Sequence, residues 1–261
     1  MHPFTQTFMA LLLAHLLGDF PLQTGSMVHG KVALRAASYL RHGLIHLVLA
    51  ILAVALFAPL PLWQTAAVAA LALLVPGHLL LDLGKSLIVR RYPHRDGALL
   101  YLADQLLHIL IVAAAAAVAV QALPPAMPLL NAWVAHHETI LLYLVVITAT
   151  VFPAGYLIRY LLAPLSRQLA ASRHESAPVE GLSNAGLYLG WLERALLVIA
   201  FGNGSLTAVG LIIGAKSIAR FPQFKSRAFA EYFLIGTLCS VAIAAVGGWV
   251  LLTWGGAGAS H

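Results

Sequence analysis

The sequence has few charged residues and almost no cysteine. Asp, Glu, Lys and Arg make up only 9% of its 261 residues, against roughly 25% in a soluble domain. Hydrophobic residues make up 61%, and the mean hydropathy is +0.89. The single cysteine, Cys239, excludes an intrachain disulfide and a cysteine-based zinc cluster. This composition predicts an all-α, polytopic membrane protein.

Apolar runs recur along the chain, and a spanning helix needs about 20 mainly apolar residues. The seventh run is short and follows the turn sequence "GNGS", so the alternative to eight spans is seven spans and a re-entrant segment. The first run lacks a preceding Lys or Arg and contains two polar residues, which favours a retained span over a signal peptide. The eight predicted spans are 4–24, 40–63, 65–89, 98–121, 139–163, 186–202, 205–221 and 228–254.

Lys and Arg residues are concentrated in alternate connections between these spans. Fourteen of the 15 lie in or beside the odd-numbered connections, and Arg194 lies in the sixth predicted span. Because basic residues favour the cytoplasmic side, we expect the odd-numbered connections in the cytoplasm and the N-terminus outside. The net positive charge of the chain is then explained by membrane topology, and a nucleic-acid partner is not needed to account for it. Membrane lipids are the expected partners.

The predicted organisation has four parts. Residues 1–121 form a four-helix membrane module, and 122–165 hold the fifth span with its flanks. Residues 166–185, which include the polar stretch "SRQLAASRHESAPVEG", form a cytoplasmic linker. Residues 186–261 form the C-terminal membrane helices.

Each of the first four predicted spans carries a pair of His or Asp residues spaced four apart. Residues at this spacing share one face of a helix. The topology inferred from Lys and Arg places all four pairs at the cytoplasmic level of the membrane. This convergence predicts a single site. The pairs are His15 with Asp19, His42 with His46, His78 with Asp82, and Asp104 with His108.

Imidazole and carboxylate groups are ligands for divalent transition metals, with zinc as the first expectation and iron or manganese as alternatives. Eight candidates exceed one tetrahedral shell. They suit two metals with a bridging carboxylate, or one metal with outer His–Asp partners. The best ligand candidates are His15, Asp19, His78 and Asp82. Asp104 and His108 come next, and His42 and His46 are candidate ligands or proton shuttles.

Two prolines lie close to these residues in the sequence. Pro21 is expected to end the first helix, and the proline of "VPGH" is expected to break or bend the third span before His78. Broken helices in a membrane are tolerated where they line a cavity. We therefore expect a pocket facing the cytoplasm, in which the flanking residues Gln23, Lys31 and Lys85 orient a substrate.

The second half of the chain offers a possible anion-binding wall for a phosphate or carboxylate. The candidate residues are Glu193, Arg194, Lys216 and Arg220. Alternatively, Glu193 and Lys216 neutralise each other, as do Glu231 and Arg220.

Two other functions are compatible with the His/Asp pairs. They could make interhelical hydrogen bonds in a non-enzymatic membrane scaffold, or form part of a proton- or ion-coupled transporter. A translocation path needs polar residues through the membrane, whereas the outer halves of spans two to four are almost purely Ala, Leu and Val.

Motifs in both halves of the chain resemble the bacterial membrane family of domain-of-unknown-function 3307. The pairs in spans one to four are also distantly similar to those of the LexA-regulated membrane-bound metal-dependent hydrolases. That second resemblance implies a metal-dependent hydrolase acting on a lipid-linked or membrane-associated ester, phosphoester or amide, with the eight paired residues as its site. The motifs are "HLLGDFPLQT", "RHGLIH", "HLLLDLGK", "DQLLH", "LERALL", "GAKSIARF" and "EYFLIGTL".

Overall fold

The structure, a computed structural model, describes residues 3–58, 65–122, 128–171, 185–224 and 226–255; the side chains at 122, 128–136, 169–171 and 185 are outside the description. This part of the chain is helical and contains no strand, as predicted. Short 3₁₀ turns cover Pro93–Arg95, Val120–Ala122 and Phe221–Gln223, and a π-helical turn covers Leu251–Gly255. The α-helices are α1 (Pro3–Asp19), α2 (Gly25–Val32), α3 (Ala36–Phe57), α4 (Thr65–Arg91), α5 (Ala98–Ala119), α6 (Pro128–Ala171), α7 (Ala185–Gly202), α8 (Leu206–Arg220) and α9 (Arg227–Val250).

Five helical segments in the described ranges are long and apolar enough to cross a membrane, so the chain is a membrane protein. The predicted number of about eight spans is not confirmed. Helices α1, α7 and α8 have 17, 18 and 15 residues and do not belong to this set. The five segments are Ala36–Phe57, Thr65–Arg91, Ala98–Ala119, His137–Gln168 and Arg227–Gly255.

The chain divides into two compact units, Met1–Val145 and Val146–His261, with the boundary inside α6. In the first unit, α1 packs against α3 and α5, and α4 packs against α3 and α5. These four helices therefore form a closed ring. The small helix α2 packs against α3 and α4.

Proline has different effects at two positions near the predicted site. Helix α1 ends at Asp19, two residues before Pro21, because a residue that precedes proline is disfavoured in the α conformation. In contrast, α4 continues through Pro76 as one helix of 27 residues. Of the break or bend predicted at "VPGH", the break is therefore wrong.

Helix α2 was not predicted, since its sequence "GSMVHGKV" is short and only weakly amphipathic. Thr24 caps its N-terminus, and the Thr24 hydroxyl accepts a hydrogen bond from the Met27 amide at 3.4 Å. Leu34 then turns the chain into α3 with a φ of 57°, in the left-handed region that bulky residues rarely occupy. This turn places α2 beside α4.

In the described part of the second unit, α7 packs against α8 and α9. Gly248 of α9 lies against Phe201 and the backbone of Gly202, so a side chain there would collide with α7. Helix α6 extends beyond the predicted fifth span at both ends. The predicted linker at 166–185 therefore starts inside α6, and its residues 172–184 lie outside the described part of the chain.

Candidate metal centre

The eight paired His and Asp residues lie together in the first unit, as the spacing and charge pattern predicted. They form three overlapping groups in which the candidate ligand atoms lie within 4.8 Å of one another. All eight side chains are buried, with an exposed fraction of 8% at Asp19. The groups are His15, Asp19, His46 and His78; His42, His78 and Asp82; and Asp82, Asp104 and His108.

Asp19, at the C-terminal end of α1, is surrounded by imidazoles. Its Oδ1 lies 3.1 Å from Nε2 of both His42 and His46 and 3.3 Å from Nε2 of His78. Its Oδ2 lies 3.7 Å from Nδ1 of His15. No Lys or Arg in the described residues pairs with this carboxylate. A buried carboxylate is costly without a compensating cation, so the Asp19 environment favours a bound cation.

The other two carboxylates are paired with lysines that were predicted to orient substrate. Lys31 Nζ lies 2.6 Å from Asp82 Oδ2, which joins α2 to α4. Lys85 Nζ lies 2.7 Å from Asp104 Oδ2, which joins α4 to α5. In this arrangement both lysines neutralise candidate ligands.

Two amide side chains also contact the cluster. Gln23 was predicted to orient a substrate, and its Nε2 lies 3.2 Å from Nε2 of His42. Gln105 donates a hydrogen bond of 3.1 Å to Asp104 Oδ2 and was not predicted. Its only signal in the sequence is its position next to Asp104 in "DQLLH".

Several imidazole nitrogens are left without a hydrogen-bond partner. In the described structure, both ring nitrogens of His15 and Nε2 of His108 are buried and have no hydrogen-bond partner, and Nδ1 of His15 makes only the 3.7 Å contact with Asp19. The Nε2 atoms of His42 and His78 face each other at 2.9 Å. Buried polar atoms normally have partners, and a divalent cation accepts imidazole nitrogen and carboxylate oxygen as ligands. The donor set therefore fits a metal ion.

The remaining predicted residues lie in the second unit. Lys216 Nζ pairs with Glu193 Oε1 at 2.7 Å, which is the neutralising pair that the sequence offered as an alternative. Arg220 donates a hydrogen bond to Gln223, while Glu231 pairs with Arg227, so the second expected pair does not form. The buried Arg194 donates through Nε to the carbonyl of Val151.

The fold and this cluster define a class: a helical membrane protein with a buried His/Asp centre. A family model described as "Protein of unknown function (DUF3307)" matches residues 7–136, which include all eight clustered residues. The chain belongs to this family, as the motifs predicted. The second-half motifs lie outside the matched residues. No curated protein and no solved structure matches the chain.

Proposed function

We propose that the chain is a membrane-embedded, metal-dependent hydrolase. It would act on a lipid-linked or membrane-associated ester, phosphoester or amide at the cytoplasmic face of a bacterial inner membrane. The proposed topology has eight spans and an external N-terminus, following the distribution of Lys and Arg. The observation that supports a metal function is the burial of eight His and Asp side chains in overlapping groups, in which both ring nitrogens of His15 and Nε2 of His108 have no hydrogen-bond partner.

The group around Asp19 is the strongest candidate for the primary metal site. It supplies three imidazoles and one carboxylate. A catalytic zinc uses three protein ligands and keeps the fourth position for water, so this group offers enough donors for such a site. No lysine in the described residues pairs with the Asp19 carboxylate. Lys31 and Lys85, in contrast, would compete with a metal for the carboxylates of Asp82 and Asp104. The ligand set expected from the sequence was His15, Asp19, His78 and Asp82. The set proposed here contains His46 instead of Asp82. Zinc is the first expectation; when bound, a divalent metal lowers the pKa of coordinated water to near neutrality.

The surrounding residues provide groups for proton transfer and charge stabilisation. His42 Nε2 lies within 3.2 Å of both Asp19 and Asp82, so the two carboxylates would stabilise the imidazolium that forms when this ring accepts a proton. Gln23 contacts the same ring and would hold its orientation. Lys31 and Lys85 would be able to stabilise negative charge on a substrate once a metal had taken Asp82 and Asp104 from them.

Elemental analysis tests the metal site directly. The protein is purified in mild detergent without chelator and compared with His15→Ala and Asp19→Ala. His29→Ala is the matched control, because it removes an exposed imidazole of the same unit outside the cluster. We expect one or two equivalents of a transition metal in the wild type and the control, and loss of metal from both cluster variants while they remain folded. Hydrolase substrates are then screened with and without the metal.

A non-enzymatic scaffold is the second candidate, and the two lysine pairs favour it. Lys31–Asp82 and Lys85–Asp104 connect neighbouring helices and neutralise two buried carboxylates without any metal. If the wild type contains no metal after exposure to zinc, iron and manganese, the hydrolase proposal is wrong. The cluster would then serve as interhelical contacts.

A further inference from the structure

The second unit contains a cavity that is separate from the residues of the metal centre. Its volume is about 550 Å³, and its lining comes from α6, α7 and α9. Among the described residues that line it, Arg159 and Arg194 carry positive charge and none is Asp or Glu. A cavity with cationic walls concentrates anions.

Arg194 is buried in the wall of this cavity with only part of its hydrogen-bonding capacity used. Its exposed fraction is 5%, and Nε donates to the Val151 carbonyl at 3.0 Å. No acceptor for Nη1 or Nη2 is found in the described residues. The adjacent Glu193 is engaged by Lys216 at 2.7 Å. Glu193 is therefore shared between two cations, and a buried guanidinium is unfavourable unless its charge is compensated. An anionic ligand would complete that compensation at Nη1 and Nη2.

Glycines on two helices leave the space that the guanidinium occupies. A Cβ atom at Gly155 of α6 would lie 2.6 Å from Arg194 Nη2, and one at Gly190 of α7 would lie 3.3 Å from Nη1. The spacing of four residues puts Gly190 and Arg194 on one face of α7, and Gly155 and Arg159 on one face of α6. The two helices therefore present both arginines to the same cavity.

We propose that this cavity binds a phosphate group, held by Arg194 and Arg159. The planar guanidinium fork matches the oxygens of phosphate in a bidentate geometry. Two arginines match the two charges that a phosphate monoester can carry. Tyr232 also lines the cavity and carries a hydroxyl that can donate a hydrogen bond to the phosphate. The volume lies within the range of about 300–1,000 Å³ for small-molecule sites. The phosphate would belong to a lipid headgroup or to a small soluble anion.

Binding assays with two probes distinguish these sources. Inorganic phosphate is titrated into the detergent-solubilised protein, and binding of phosphatidic acid is measured in nanodiscs against a phosphatidylcholine background. Both assays are run on Arg194→Gln and Arg159→Gln. Arg159 is exposed, so its variant tests the proposal even if Arg194→Gln fails to fold. Arg227→Gln is the matched control, because it removes a charge of the same unit from a side chain that is 93% exposed.

We expect the cavity variants to weaken binding by roughly tenfold or more, since charge-assisted hydrogen bonds are lost, while the control binds like the wild type. Binding of inorganic phosphate would identify a soluble anion, and binding of phosphatidic acid alone would identify a headgroup; both support the site. Failure of both probes to bind, or equal binding by the cavity variants and the control, would overturn it. Dependence on Arg159 also separates this site from phosphate bound at a metal in the first unit.

Discussion

Replacing Gly18 with alanine tests whether His46 must lie directly against α1 for the metal centre to form. The new Cβ would lie 2.6 Å from both Cε1 and Nε2 of His46, whereas non-bonded carbon atoms in contact are about 3.5–4.0 Å apart. The imidazole must therefore retreat by about 1 Å. Because Nε2 of His46 now lies 3.1 Å from Asp19 Oδ1, this movement would break their contact.

The ring cannot move without disturbing its neighbours. The centroids of the His78 and His42 rings lie 3.8 and 4.5 Å from that of His46. Overpacking of this kind costs about 1–3 kcal/mol, and the helical preference of alanine over glycine offsets about 0.5–1 kcal/mol of it. We expect the free energy of unfolding to fall by about 1 kcal/mol. Metal affinity should fall by more than the roughly 10–100-fold that loss of an outer-shell partner causes.

Gly84→Ala is the matched control, because an added Cβ there meets nothing within 4 Å and Gly84 lies inside α4. Zinc affinity is measured by competition with a chromophoric chelator, and stability by denaturation in detergent. The control should bind zinc like the wild type and be at least as stable. If Gly18→Ala binds zinc as tightly as Gly84→Ala, His46 is not a ligand and the proposed primary site is wrong.

Two further substitutions separate metal binding from helix packing. Lys31→Met leaves buried Asp82 without its ammonium partner, so the metal-free protein should lose about 3–5 kcal/mol of stability. Zinc should bind more tightly to this variant, because Asp82 becomes available as a ligand. Weaker zinc binding would contradict the idea that Lys31 competes with the metal for Asp82. Gln6→Leu removes the 2.6 Å hydrogen bond to the Phe57 carbonyl that joins α1 to α3. Denaturation should show a loss of about 1–2 kcal/mol of stability, and elemental analysis should show an unchanged metal content. A loss of metal would show that this hydrogen bond supports the site.

Residue spacing and the distribution of Lys and Arg together were sufficient to predict which residues form the His/Asp cluster. Four residues make about one helical turn, so each pair had to share a face, and the distribution of Lys and Arg placed the four faces at one level. Pro21 likewise marked the end of α1 correctly. These features depend on local geometry and on the partition of charge across a membrane, and both can be read from a single sequence.

Contacts made through tertiary packing were not predictable in the same way. The Lys31–Asp82 pair depends on α2, whose position relies on the left-handed Leu34. The exchange of His46 for Asp82 in the best ligand set depends on how α1 and α3 are rotated against each other. Pro76 was predicted to break or bend its helix, and the helix continues through it without a break. The pairing of Arg159 with Arg194 in one cavity requires α6 and α7 to meet at Gly155.

The two residues shared between the metal-binding groups, His78 and Asp82, lie one turn apart on α4. A histidine that coordinates through one nitrogen serves one ion, so the two groups that contain His78 are mutually exclusive. A carboxylate has two oxygens, so Asp82 can be shared by neighbouring ions. The cluster therefore has room for no more than two ions at once. If a first ion were held at Asp19, a second could be held only by Asp82, Asp104 and His108, so the shared residues of α4 limit how many ions the cluster could hold.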